Sequence, residues 1–580
     1  MCGIFGIFSK KKLSSHDQEV LKRSKEYLNH RGPDQFNIVK VNENLSLAHT
    51  RLSIIDLSDK NYQPRSDGNH TICFNGEIYN FKELKEKYLH GESFITTGDT
   101  EVLLKMWKKF GKDCLKYLDG MFSIAIWDDK KLYLATDHFG EKPLFIYEEK
   151  SKIYFSSEPN IFFDLLNPSL ELKETPFFDF LGIQINEESI SKEIKKISHG
   201  SIVEILNGKI LSNKKYLKKK SIINKEKEIN ELTNQNLDEI MDLLIKSIRK
   251  RLISDQKISI LQSGGYDSTL LLAVIKNELK LDFQCYHLEQ DGFSEKTQII
   301  NNFKKLNIDT KYIKFIQFDE NNLDINNIIK YHHQLTDNFS IGLVDSICKN
   351  IYQDNIRVAL SGTGGDELFY GYTKYYNAYQ LQNKTKYLKN KFFKNIFKFL
   401  PSENIFNLIN NNSLEIISYL KNQNNYSFVK KNQDLNLLTE NYFSNNNLFE
   451  NMRDFDLNFT MPDNINFNQD IASMRNSVEI RCPFLNAEIF NYVEKINPKL
   501  LFLKGPKTIS KMILDKYFKL DIVKTGFSFS DNMKKKFRRI NSSNIEKYKL
   551  SEHFNYNFQL GFKQLYKKSL MNKFHILEQV

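Results

Sequence analysis

The sequence predicts two domains of mixed α/β and α+β character joined by a charged connection, and three observations predict it. At 580 residues the chain exceeds what one hydrophobic core organises, so two cores are expected. The first two hundred or so residues alternate short β-type runs with turns. Beyond about residue 235, strand and helix patterns follow one another in the βαβ order that builds a mostly parallel sheet. A hydrophobic content of 41% with 13% aromatics supports packed domains rather than disorder.

Taken in order, MCGIFGIFSKKK opens the chain with an apolar stretch too short for a signal peptide, its lysines on the wrong side. The runs SLAHTRLSIIDL, HTICFNGEIYN, MFSIAIWDDKKLYLATD and KIYFSS read as strands, and TEVLLKMWKKFGKDCLKYL has helical periodicity. These make a first domain over residues 2–212. Residues 213–235 form the connection, and the charged stretch 216–235 reads as a solvated linker. In the second domain, residues 236–535, the strand ISILQ, a Gly-rich turn, the helix STLLLAVIKNEL and the strand DFQCYHL follow in order. Residues 382–458 are helical in pattern but dense in Asn and Lys, as expected of a peripheral subdomain, and the tail 536–580 reads the same way.

Composition excludes several classes. No run of about 18 apolar residues marks a membrane span. The cysteines (Cys2, Cys73, Cys114, Cys285, Cys348 and Cys482) lie far apart without CxxC or zinc spacing, so neither a disulfide framework nor a structural metal is expected. The formal charge of +12 comes from lysines spread along the chain, which argues against a nucleic-acid surface. A cytoplasmic protein without nucleic-acid or membrane partners is expected, with a homodimer as its candidate assembly.

A cysteine directly after Met1 has access to a chemistry that an interior cysteine lacks. Removal of Met1 leaves an α-amine of ordinary pKa about 7.7–8.0, able to act as base toward the thiol of its own residue. Farther on stand His30-Arg31-Gly32-Pro33-Asp34, His49-Thr50-Arg51-Leu52-Ser53, Asn75-Gly76-Glu77-Ile78-Tyr79-Asn80 and Gly98-Asp99-Thr100-Glu101. Residue by residue, Arg51 reads equally as a surface ion pair, Asn75-Gly76 as a hairpin turn and Asp99 as a helix cap. In this order and spacing they resemble the glutaminase domain of the asparagine synthetase family, a class II glutamine amidotransferase with the αββα sandwich of N-terminal nucleophile hydrolases. The resemblance implies that Cys2 attacks the amide of glutamine and that Asn75 and Gly76 form the oxyanion hole, each donor worth about 10²-fold or more in rate. It also implies that Arg51 pairs with the α-carboxylate while Glu77 and Asp99 hold the α-ammonium, alongside Asn75 and Gly76.

The second block centres on Ser263-Gly264-Gly265-Tyr266-Asp267-Ser268, between a strand and a helix. Its glycines and the helix start suit phosphate, yet the lysine of a GxxxxGK[ST] loop is missing. It resembles the pyrophosphatase-type loop of a PP-loop (adenine-nucleotide α-hydrolase-like) parallel α/β domain with added helices, which cleaves ATP to AMP and pyrophosphate. Leu360-Ser361-Gly362-Thr363-Gly364-Gly365-Asp366-Glu367 is similar to the second nucleotide loop of that family. The resemblance implies ATP binding by Leu261, Ser263, Gly264, Gly265, Asp267, Ser268, Ser361 and Gly362, and Mg²⁺ on Asp267 and Asp366. Asp470-Ile471-Ala472-Ser473-Met474, Glu479-Ile480-Arg481 and Pro483-Phe484-Leu485 match further family segments. Lys511 and Lys524-Thr525-Gly526-Phe527 match its late basic positions, with Lys524 as the catalytic cation.

Together these imply a carbon–nitrogen ligase with glutamine as nitrogen donor. It would adenylate an acceptor carboxylate, by default L-aspartate, and amidate it with the released ammonia through an internal channel. Three departures fall in the second half. Thr363 stands where the family carries an acid, Asn468 replaces a lysine, and Thr336-Asp337-Asn338-Phe339 replaces an acidic-Pro pair. They raise two other readings: the same chemistry on a sugar carboxylate such as a uronic acid, or a glutaminase whose second domain is not catalytic. A non-catalytic structural or nucleic-acid-binding protein is disfavoured by the scattered lysines.

Overall fold

The computed structural model describes residues 2–166, 184, 189, 191–216, 228–290, 294–319, 325–336, 338, 340–388 and 448–519. The first domain contains strands β1 (Cys2–Ser9), β2 (Gln35–Lys40), β3 (Leu45–Arg51), β4 (Arg65–Asp67), β5 (His70–Ile78), β6 (Gly120–Asp128), β7 (Leu132–Thr136), β8 (Phe145–Glu149), β9 (Lys152–Ser156), β10 (Ile194–Lys196), β11 (Ser201–Leu206) and β12 (Lys209–Lys215). They form two six-stranded antiparallel sheets, ordered β10-β8-β9-β1-β3-β2 and β12-β11-β7-β6-β5-β4.

Strand alternation explains why β1 is apolar throughout. Ile4 and Phe8 meet Cys73, Ala125 and Leu134 of the other sheet, whereas Phe5 and Ile7 share a core with Val20, Leu21 and Leu28 of helix α1 (Ser15–Leu28). The start of α1 is fixed by a capping box between Ser14 and Asp17. Helices α2 (Phe81–Tyr88) and α3 (Asp99–Phe110) cover the opposite face, where Val102, Leu103 and Met106 pack with Phe74 and Ile124. Helix, sheet, sheet and helix make the expected αββα sandwich.

Two local readings are corrected. The predicted strand over SLAHTRLSIIDL stops at Arg51, because the chain beyond it turns to bring its carbonyls to the Arg51 side chain. The helix predicted to run through Leu118 stops at Phe110, since Gly111 adopts φ +54°, and a 3₁₀ turn over Gly111–Tyr117 follows.

In the second domain, α5 (Asn234–Arg251), after the short α4 (Asn160–Leu165) of the first, leads into β13 (Ile258–Leu261), α6 (Tyr266–Asn277), β14 (Gln284–Glu289), α7 (Lys296–Lys305) and β15 (Ile313–Gln317). Then come α8 (Ile325–His332), α9 (Ser340–Gln353), β16 (Val358–Leu360), α10 (Gly365–Leu368), α11 (Thr373–Leu388), α12 (Leu448–Phe455), α13 (Asn466–Met474), β17 (Glu479–Arg481), α14 (Ala487–Val493) and α15 (Thr508–Leu514). The five strands are parallel and ordered β15-β14-β13-β16-β17. The chain therefore winds outward in both directions from β13 and β16, and the crevice beyond their carboxyl ends is the topological switch point of the sheet. Among the described residues no helix is long and apolar enough to cross a membrane.

Candidate active site

In the first domain the sequence-predicted residues converge on the start of β1. The backbone N–H of Cys2 donates to Asn75 Oδ1 at 2.9 Å, and the same amide donates to Ser123 Oγ at 3.4 Å, which fixes its orientation. Burial pushes the Cys2 thiol above its ordinary pKa, so at rest the sulfur keeps its proton and attack requires a base. Asn75 and Gly76 lie within β5 rather than in a hairpin turn. Gly76 has φ +147°, and a Cβ there would stand 2.0 Å from Met121 O, so the backbone at this point admits only glycine.

Arg51 is buried and donates to Gln35 Oε1 and Ser58 O, each at 3.1 Å, and to Asp56 O. Three of its five N–H donors are thus spent on the described residues, leaving one on Nε and one on Nη2. That is the pair a carboxylate needs, and it is not the arrangement of a surface ion pair. Asp99 is the first residue of α3, with Gly98 as its cap, and its Oδ2 accepts from Ile78 N–H at 2.8 Å. Glu77 is buried beside it, with Oε1 3.5 Å from Arg481 Nη2 and Oε2 without a hydrogen-bond partner among the described residues. Burial raises both carboxyls, Asp99 to about 6 and Glu77 well above its ordinary value, with Glu479 and Asp99 adding to the latter.

In the second domain the two glycine loops occupy the switch point. Leu261 ends β13, Gly265 caps α6 without a side-chain bond, and Ser263 and Ser268 hydroxyls lie 2.9 Å apart. Gly264 N–H donates to the Glu295 carboxylate at 3.2 Å, so the loop already takes an anion. A Cβ on Gly362 would stand 3.1 Å from Ser268 N, and one on Gly365 2.7 Å from Asp267 Cγ; the loops after β13 and β16 therefore touch. Ser361 opens the loop after β16, its N–H bonded to Arg481 O.

Asp267 and Asp366 are brought together by a residue that sequence reasoning missed. Lys507 Nζ pairs with Asp267 Oδ2 and, at 2.7 Å, with Asp366 Oδ1, while Ser510 Oγ donates to Asp267 Oδ1 at 2.9 Å. Although burial opposes its charge, the two carboxylates hold the Lys507 ammonium above its ordinary pKa. Lys511, one helical turn on, bonds instead to Lys504 O; the i, i+4 spacing of the two lysines was the available signal. Lys524 and the adjoining Thr525-Gly526-Phe527 lie outside the described residues.

Thr363 is tied by its hydroxyl to Ser361 Oγ at 2.8 Å and to Gln469 Oε1 at 3.0 Å. The other departures meet one another, since Asn468 Nδ2 donates to Thr336 Oγ1 at 3.1 Å. A network unassigned by the sequence joins the domains. Arg31 donates to Cys2 O at 3.0 Å, to Glu158 Oε1 at 2.8 Å and to Asp470 Oδ2 at 2.8 Å, and Lys142 reaches Asp470 Oδ1 at 3.1 Å. Beside it lies a small cavity, with room for about one water-sized molecule, lined by Glu141, Lys142, Gln469 and Asp470 among others. Burial raises Glu141 there to about 8.

A family model described as a glutamine amidotransferase domain matches residues 1–217. Another, described as asparagine synthase, matches residues 239–553, more than half of the chain. The chain belongs to the asparagine synthase family. "Asparagine synthetase [glutamine-hydrolyzing] 1" of Bacillus subtilis is 29% identical over 87% of this chain and 82% of its own length. "Asparagine synthetase B [glutamine-hydrolyzing]" of Escherichia coli is 27% identical over 66% of this chain and 68% of its own.

Proposed function

We propose that the chain is a carbon–nitrogen ligase of asparagine synthetase type. It hydrolyses glutamine at Cys2, adenylates an acceptor carboxylate with release of pyrophosphate, and amidates the adenylate with the ammonia. L-Aspartate is the default acceptor. The observation that carries the reading is the set of polar groups left unspent among the described residues near Cys2: two Arg51 donors for a carboxylate, and the buried Glu77 Oε2 beside Asp99 for an ammonium.

With Met1 removed, the α-amine of Cys2 donates one hydrogen to Asn75 Oδ1 and keeps its lone pair for the thiol proton. The thiolate attacks the glutamine amide carbon. The remaining Asn75 Nδ2 hydrogen and the Gly76 N–H then stabilise the tetrahedral oxyanion. The proton returns to the leaving nitrogen, and water releases glutamate from the thioester. Ammonia then passes toward Thr363; the small cavity beside Asp470, which Arg31 bonds, is also lined by Gln469, which Thr363 bonds.

At the switch point the Ser263–Ser268 loop, Leu261, Ser361 and Gly362 bind ATP. Asp267 and Asp366, two hard carboxylates sharing one ammonium and so net negative, fit Mg²⁺, which would neutralise phosphate charge. Lys507, and Lys524 in the same capacity, would hold the departing pyrophosphate. The domain limits proposed for these activities are 2–212 and 236–535.

Purified chain supplied with glutamine, Mg-ATP and aspartate should form glutamate, AMP, pyrophosphate and asparagine in equal amounts. Acceptor-dependent pyrophosphate with a sugar carboxylate but not with aspartate would replace the default acceptor. Glutamate formation without any ATP consumption across candidate acceptors would sink the ligase reading.

A further inference from the structure

Arg481 belongs to the second domain and touches the groups proposed for both reactions. Its side chain is wholly buried. Nη2 faces Glu77 Oε1 of the first domain at 3.5 Å, and Nε donates to Glu479 Oε1 at 2.6 Å. Its own carbonyl accepts from Ser361 N–H at 2.9 Å. One residue thus spans from the proposed ammonium-binding carboxylate to the first residue of the loop that carries Gly362 and Thr363.

A second connection leaves the same guanidinium. Nη1 donates to the carbonyls of Arg251 and Ile253, at 2.8 and 2.7 Å. Two residues on, Asp255 Oδ2 accepts from Asp56 N–H at 2.8 Å, and Asp56 O is one of the carbonyls that hold Arg51. Both charged ends of the glutamine pocket therefore lead to Arg481.

A ligand ammonium beside Glu77 competes for the carboxylate that faces Arg481 Nη2. In a buried site that exchange of partners is weakly screened. A close-packed interior passes the resulting shift along β17 rather than absorbing it, and Ser361 is hydrogen-bonded to that strand. We propose that Arg481 is a positioning residue that links occupancy of the glutamine pocket to the nucleotide loop at Ser361, so that glutamine and Mg-ATP each change the affinity for the other. The inference rests on the reading of Glu77 as an ammonium-binding group.

Thermodynamic linkage makes the effect reciprocal and measurable without turnover. In the full-length Cys2→Ala protein, glutamine is bound and not consumed, and Mg-ATP is titrated by calorimetry with and without saturating glutamine. The Kd for Mg-ATP should change about 5-fold or more, and glutamine Kd should change by the same factor when Mg-ATP is saturating. Adding Arg481→Lys, which keeps charge but loses the planar fork, should remove the linkage. Adding Glu479→Gln leaves Glu77 as the ionic partner of Arg481 and should enlarge it, a response that a purely structural role does not produce. Glutamine binding with an unchanged Mg-ATP Kd, or linkage that survives Arg481→Lys intact, overturns the inference. Failure of the Cys2→Ala protein to bind glutamine at all overturns instead the reading of the pocket on which it rests.

Discussion

Arg31 and Asp470 belong to different domains, and their side chains meet at 2.8 Å with neither exposed to solvent. Asp470 also pairs with Lys142, and Arg31 with Glu158. Burial alone would raise the Asp470 pKa, but Arg31 and Lys142 hold it below its ordinary value. Breaking such a pair strands a buried charge, so Asp470→Asn should cost about 3–5 kcal/mol, seen by calorimetry as a lower melting temperature. The sign of the pH dependence follows. A depressed carboxyl stabilises the fold above its unfolded pKa of about 3.9 and loses that contribution as pH falls below it. An unchanged melting temperature in Asp470→Asn would contradict this.

Asp99 predicts the reverse dependence. With burial raising it to about 6, the folded chain binds its proton more tightly than the unfolded chain. Its contribution to stability is present below about pH 4 and lost as pH rises through 6. Glutamine binding needs the carboxylate, so KM for glutamine should rise as pH falls through about 6 while kcat changes less. Asp99→Asn should weaken glutamine binding and flatten the profile. Steady-state glutaminase assays between pH 5 and 8 test both, and an acid limb unchanged in the variant would count against the assignment.

Gly76→Ala places a methyl 2.0 Å from Met121 O at a φ of +147°. Glutamine-dependent kcat/KM should fall about 10²-fold or more, while pyrophosphate release driven by ammonium chloride persists. Loss of both activities would mean that the change disrupts more than the oxyanion site.

Lys507→Gln removes the cation shared by Asp267 and Asp366. Pyrophosphate release should drop steeply with glutamine hydrolysis retained. Two uncompensated carboxylates should also make the melting temperature respond more strongly to Mg²⁺ than in the parent chain, a linkage effect. Equal Mg²⁺ responses in the two proteins would argue against these carboxylates as the ion's ligands.

Much of the fold was legible because local patterning and tertiary burial agree. The run HTICFNGEIYN, which forms β5, and the order of strand, glycine loop and helix at 258–277 are both written in local residue patterns. The loop of residues 52–58 was not, because its course is set by the Arg51 guanidinium that its carbonyls bind. Arg31, Asp470 and Arg481 lie inside the motifs with no role visible in the sequence, since partners in another domain leave no trace in local spacing. The sequence does not distinguish Lys507 from Lys511, because which of two lysines one helical turn apart faces the acids depends on how α15 docks. The glutamine-pocket residues sit close together in sequence on β1, β3, β5 and α3, which is why that half was the more readable.

In the proposed reaction nitrogen leaves glutamine at Cys2 and reaches an adenylated acceptor in the second domain. The intact mass should first lack Met1. Glutamine labelled with ¹⁵N in its amide is then supplied with Mg-ATP and aspartate in the presence of unlabelled ammonium, and the product amide is read by mass spectrometry. The parent chain should place ¹⁵N in asparagine with pyrophosphate released in step. Cys2→Ala should form asparagine at a comparable ammonium-driven rate with no label. Label in the Cys2→Ala product, or an unlabelled product from the parent chain, would contradict the account.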